Sequence, residues 1–188
     1  MGLYSMRAGK DMLMFRIAHA AYGWGVTPNM LTALGLVLGV ASGALFALRA
    51  LSFAFALGFL SVFCDVLDGT LARKFILESK LGLMFDSVAD RATEFAAVAG
   101  ALVAGIIHPV GLIAIAGSLC LLALRVASYR RGLRTDYAFF GRFERLVFIL
   151  AGLLSPIVWL STACFVAAGA CGLISSAQIA AKLCKKNN

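Results

Sequence analysis

The sequence predicts an all-α fold, an integral membrane bundle of six transmembrane helices. Three observations predict it. The chain has 188 residues, of which 62% are hydrophobic and only 14% charged, with a mean hydropathy of +0.94. A soluble domain of this length is near half apolar and a quarter charged, so the excess must face lipid. The apolar residues gather into helix-length runs, and the connections between the runs are short.

Residues 1–26 read as an interfacial amphipathic helix. The stretch "LYSMRAGKDMLMFRIAHAAY" mixes Met, Leu, Phe and Ile with Arg, Lys and Asp, the pattern of a helix lying in the membrane surface. Tyr22 and Trp24 suit the headgroup boundary. Lys10, Asp11 and Arg16 interrupt the apolar residues, so the start does not read as a cleavable signal peptide.

Residues 27–188 read as one domain of six spans. Thr27 is the expected N-cap of the first, with Pro28 at its first helical position. The apolar run that follows is about 20 residues, enough to cross the hydrocarbon core. Further spans are expected over 52–73, 82–106, 109–129, 141–158 and 160–182, with His108-Pro109 and Ser155-Pro156 marking two turns. Short connections make successive helices antiparallel neighbours. Runs of small residues ("GLVLGVASGA", "AAVAGALVAG", "AAGACG") permit close helix packing in lipid.

Net charge is +8, and its placement excludes a nucleic-acid reading. Arg7, Lys10 and Arg16 precede the first span. Arg73, Lys74 and Lys80 lie between the second and third, Arg130, Arg131 and Arg134 between the fourth and fifth, and Lys182, Lys185 and Lys186 near the end. The other side has only Arg49. The positive-inside rule puts both termini and the aspartate stretch in the cytoplasm, with the positive charge beside anionic headgroups; the plasma membrane is the expected location. The five cysteines form no C-x-x-C pair and read as packing residues. His19 reads as structural or interfacial, and His108 is given no role.

The chemistry lies in "DVLDGTLARKFILESKLGLMFDSVAD", residues 65–90. Asp65, Asp68 and Ala72 share one helical face at the end of the second span. Gly82, Asp86, Asp90 and Glu94 form an i, i+4 stripe on the third. The two acidic faces can meet at the cytoplasmic surface, where four carboxylates would repel one another unless protonated or bridged by a cation. An oxygen-only donor set without His or Cys favours Mg²⁺ or Mn²⁺, and magnesium keeps positions open for a substrate phosphate. Gly69 costs a helix about 1 kcal/mol relative to Ala, so something needs close access there. Arg73 offers a bidentate donor for phosphate. Glu94, one turn deeper, is expected to pair with Arg91, Arg125 or a neighbouring helix.

The stretch fits D-x2-D-G-x2-A-R-x8-G-x3-D-x3-D at Asp65, Asp68, Gly69, Ala72, Arg73, Gly82, Asp86 and Asp90. In this it resembles the CDP-alcohol phosphatidyltransferases. The resemblance implies attack of an alcohol on the lipid-side phosphorus of a CDP-linked lipid, with release of CMP. It implies Asp65, Asp68, Asp86 and, beside them, Asp90 as ligands of two divalent ions. Asp90 would be the general base. Asp68, Gly69, Ala72, Arg73 and Gly82 would line the CDP site. A homodimer is also implied.

A basic stretch, "SYRRGLRTDYAFFGRFERLVFIL", follows at 128–150. It suits an acceptor that carries its own phosphate, and Arg142 and Arg145 open an apolar helix where unpaired charge is costly. The stretch resembles the phosphatidylinositol phosphate synthase branch, which implies Ser128, Arg131, Arg142 and Arg145 as contacts for inositol 1-phosphate. Glycerol 3-phosphate is the rival acceptor. An ion or proton transporter is the rival class, since intramembrane carboxylates mark those too. No acidic path continues across the membrane and no inverted repeat is visible. A scaffold would not require the glycines.

Overall fold

The computed structural model describes residues 14–130, 142–155 and 158–185, with side chains over 14–128, 145–155 and 159–181. Among these residues it is all-helical: α1 (14–23), α2 (Pro28–Ala47), α3 (Leu51–Lys74), α4 (Lys80–Val103), a 3-10 turn (Pro109–Gly111), α5 (Leu112–Arg130), α6 (Arg142–Leu154) and α7 (Val158–Lys185). Four stretches are long and apolar enough to cross a membrane: Pro28–Ala47, Leu51–Lys74, Pro109–Ser128 and Trp159–Ala181. The chain is an integral membrane protein.

The other two expected spans fall short of that criterion for different reasons. α4 has 24 residues, about 36 Å of helix, but carries Asp86, Asp90, Arg91 and Glu94. α6 has 13 residues, about 20 Å.

Helix starts follow the local sequence. Thr27 accepts a hydrogen bond from Met30 N at 3.4 Å, with Pro28 in the first turn of α2. Ser79 caps α4 by accepting from Gly82 N at 2.9 Å. His108 caps the 3-10 turn through Nδ1. The described part of α1 seats Ala18 against Leu31, Leu67 and Leu71, while Phe15, His19 and Tyr22 gather around the Phe75 ring.

The helices form two three-membered halves. α2 packs against both α3 and α4, and α7 against both α5 and α6, while α4 and α5 join the halves. The expectation that consecutive helices are packed neighbours therefore fails twice, between α3 and α4, which lean on α2, and between α5 and α6, which lean on α7. For the first pair the reason lies in α2. Its glycines at 35, 39 and 43 present bare backbone to both partners. A Cβ on Gly35 would press on Ser61 and Cys64 of α3, and one on Gly43 on the backbone of Ala96 in α4. Small-residue contact of this kind takes the place of a hydrophobic drive between helices in lipid. At the far end Arg49 adopts a left-handed φ of 59°. Its Nε and Nη2 donate to Ala104 O at 3.0 and 2.6 Å, tying the α2–α3 turn to the end of α4.

Candidate active site

Because α3 and α4 are held apart by α2, their acidic ends face each other across a gap. One carboxylate oxygen each from Asp65, Asp68 and Asp86 lie within 4.8 Å of one another. Asp68 is buried, and its Oδ2 accepts from Thr32 Oγ1 on α2 at 2.6 Å. Asp86 Oδ1 is buried with no hydrogen-bond partner among the described residues. Like charges this close, one oxygen of them unsatisfied, are unfavourable without a cation. The donors are all hard oxygens, and with this packing they fit a divalent ion of the magnesium type.

Beside the carboxylates runs an open cleft. Asp68, Gly69, Ala72, Arg73 and Gly82, the residues expected to line a CDP site, all line it together with Asp86. Two glycines keep its floor low. A Cβ on Gly82 would lie 2.9 Å from Ser79 Oγ and 3.1 Å from Asn29 Oδ1. A Cβ on Gly69 would lie 3.2 Å from Arg73 Nη1. What approaches Gly69 in this structure is thus the guanidinium one turn along its own helix. Arg73 itself is exposed at the lip.

Asp90 is buried and lines a small cavity with Thr32, Asp65 and Asp68, below the three-carboxylate cluster. Arg91 Nη2 lies 3.7 Å from Asp90 Oδ2. Glu94 departs from the stripe. Each i, i+4 step rotates about 40° on a helix of 3.6 residues per turn, and by Glu94 the drift from Gly82 is about 120°. Glu94 Oε2 accordingly accepts from Arg91 Nη1 at 2.9 Å and from Ser118 Oγ on α5 at 2.6 Å. Its Oε1 lies 3.6 Å from Arg145 Nη2 on α6. The expected pairing with Arg91 is present, and Arg145 joins it.

The four residues expected at an acceptor phosphate are less fully visible. Ser128 is buried, with its hydroxyl donating to Leu124 O at 2.8 Å. Arg145 is buried against Glu94 and Ser118. Arg131 lies outside the described residues, and only the backbone of Arg142 is described, as the first residue of α6. Two polar residues escaped the sequence reading, Thr32 and Ser118. Thr32 lies within "TPNMLT", whose opening was read only as a helix start; Ser118 carries no local signal.

A family model described as CDP-alcohol phosphatidyltransferase matches residues 25–176. The phosphatidylinositol phosphate synthase of Mycobacterium tuberculosis (strain CDC 1551 / Oshkosh) is 32% identical over 159 residues, covering 78% of this chain and 71% of the relative. A crystal structure of the Mycobacterium tuberculosis phosphatidylinositol phosphate synthase with CDP-DAG bound matches with a TM-score of 0.71 at 25% identity, over 89% of this chain and 91% of that one. The structure of that synthase in complex with manganese and citrate matches with a TM-score of 0.70 at 26% identity, over 88% and 86%. The family match takes in every helix from α2 to α6 and most of α7, and on that ground the chain belongs to the CDP-alcohol phosphatidyltransferase family.

Proposed function

We propose that the chain transfers a phosphatidyl-type group from a CDP-linked lipid, CDP-diacylglycerol or its ether analogue, to inositol 1-phosphate, releasing CMP. The observation that carries the reaction is the meeting of Asp65, Asp68 and Asp86 at the edge of a cleft floored by Gly69, Ala72 and Gly82. The acceptor is favoured by likeness to relatives named phosphatidylinositol phosphate synthase.

In this reading Asp65, Asp68 and Asp86, with Asp90 beside them, hold two divalent ions, Mg²⁺ or Mn²⁺. Such ions, when bound, neutralise charge on the diphosphate and on the departing phosphate. The shallow glycine floor admits the nucleotide, and Arg73 donates to its phosphates. Asp90 takes the proton of the acceptor hydroxyl as the new P–O bond forms on the lipid-side phosphorus. The bond to CMP breaks, and CMP leaves with the electron pair. Ser128, Arg131, Arg142 and Arg145 receive the acceptor's phosphate.

The donor's tails belong in lipid and its nucleotide in water, so the cleft belongs at a membrane surface. Arg73 at its lip, and Lys74 and Lys80 at the facing ends of α3 and α4, favour the cytoplasmic side. We read α4 and α6 as completing six spans in 27–188, residues 1–26 as the interfacial helix, and a homodimer as the assembly that the family resemblance implies.

The test is CMP release by purified protein with CDP-diacylglycerol and Mn²⁺ or Mg²⁺, offered inositol 1-phosphate, glycerol 3-phosphate, serine or inositol in turn. Inositol 1-phosphate is expected to give the highest kcat/KM. A higher value for glycerol 3-phosphate would reassign the acceptor, and no release with any of the four would sink the enzyme reading.

A further inference from the structure

Arg145 lies in the first turn of α6 at 1% exposure, among the most buried side chains described. Its guanidinium has two usable edges. The end edge, Nη1 with Nη2, is turned to its neighbours: Nη1 donates to Ser118 Oγ at 3.3 Å, and Nη2 lies 3.6 Å from Glu94 Oε1, an ion pair too long for a hydrogen bond. The side edge, Nε with Nη2, is not: neither atom has a hydrogen-bond partner among the described residues. A buried guanidinium with unmet donors is costly. A structural ion pair would be expected to saturate it. The Nε–Nη2 edge is also the fork that takes a phosphate through two parallel hydrogen bonds.

What holds the end edge comes from two other helices. Glu94 of α4 and Ser118 of α5 are buried and bonded to each other at 2.6 Å. Arg91 shares both partners, donating through Nη1 to Glu94 Oε2 at 2.9 Å and to Ser118 Oγ at 3.5 Å. Through its Nη2 the same Arg91 lies 3.7 Å from Asp90 Oδ2. One chain of contacts thus runs from the expected base to the expected acceptor arginine.

We infer that Glu94 and Ser118 are positioning residues for the acceptor: they fix Arg145 by its end edge, leave its side edge to donate to the acceptor's phosphate, and set it in register with Asp90 through Arg91. The inference rests on the proposed use of a phosphorylated acceptor. Neither residue touches substrate, and both act through Arg145.

The test uses the full-length protein in nanodiscs with CDP-diacylglycerol and Mn²⁺, measuring KM separately for inositol 1-phosphate and for the CDP-lipid. Losing a hydrogen-bonded charge, Glu94→Gln is expected to raise the acceptor KM about tenfold and to leave that of the CDP-lipid within about twofold. Ser118→Ala is expected to raise the acceptor KM about threefold, with Ser118→Thr restoring it. On an Arg145→Ala background Glu94→Gln should add less than about twofold, since its effect travels through that side chain. Direct binding of inositol 1-phosphate, measured by calorimetry, should weaken in parallel with KM. Equal rises in both KM values, or full multiplication of the two single effects, would overturn the inference. If Glu94→Gln does not fold, Ser118→Ala decides alone, and an unchanged acceptor KM counts against it. Wild-type protein that releases no CMP with inositol 1-phosphate defeats the acceptor reading, and the inference with it. Normal wild-type turnover with an unmoved acceptor KM in Glu94→Gln defeats the positioning role only.

Discussion

The two halves of the bundle share a plan and differ in what fills it. In each, a central helix separates two others: α2 separates α3 from α4, and α7 packs against α5 and α6. Between α3 and α4 the gap stays open as a cleft edged by carboxylates. Between α5 and α6 the space is bridged by Ser118 and Arg145, with Glu94 reaching in from α4. Acid gathers with acid on one side, and acid meets base on the other. Buried charge of the first kind calls for a cation from outside, whereas that of the second is paired from within but leaves Arg145 Nε and Nη2 without a hydrogen bond among the described residues. The difference separates like charges that need a counter-ion from opposite charges that hold one another in place.

The largest expected effect breaks this contrast on the cleft side. Asp86→Ala should lower kcat by about a hundredfold to a thousandfold, the scale for losing electrostatic stabilisation at a transition state, while thermal stability holds or rises because a repulsive carboxylate is gone. A large drop in Tm would mean that Asp86 serves the fold. Glu94→Leu should cost stability, in addition to raising the acceptor KM as Glu94→Gln does. It leaves Arg91 and Arg145 uncompensated, and breaking a buried pair from one side costs about 3–5 kcal/mol, readable as a fall in unfolding midpoint in detergent. Thr32→Ala removes the hydroxyl that holds Asp68 Oδ2 at 2.6 Å. It should raise the Mn²⁺ concentration for half-maximal activity about tenfold to a hundredfold, the worth of one hydrogen bond to a charge, with little change in Tm. The smallest effect belongs to the far end. Arg49→Ala loses the bonds to Ala104 O and should cost about 1 kcal/mol, with kcat and both KM values unchanged. A kinetic change there would show that the two ends of the bundle are coupled.

Much of the cleft side was legible in the sequence, because its spacing is short-range. Asp65, Asp68, Gly69, Ala72 and Arg73 sit within one helix end, and Gly82, Asp86 and Asp90 open the next. Thr27 and Pro28 announced α2 by cap chemistry alone. The bridged side was less legible. Hydroxyls in apolar helices commonly turn back to a carbonyl four residues earlier, as Thr70, Ser128 and Ser176 do here. Nothing in the local sequence marks Ser118 as an exception. Glu94 was placed on the acidic stripe because equal intervals look collinear on paper, while the helix turns beneath them. The place of α2 between α3 and α4 was also hidden, since chain order suggests that neighbours in sequence touch.

The glycine face of α2 has a consequence at a distance. Gly43 lies about 16 Å along the helix axis from Thr32, toward the other end of α2, where it meets Ala96 and Gly100 of α4 backbone to backbone. It works like the pivot of a compass whose points are the carboxylates of α3 and α4. One methyl group added at the pivot would splay the legs and detune the oxygen spacing at the tips. Affinity for a divalent ion at one end is therefore also a gauge of how tightly two helices are pinched toward the other.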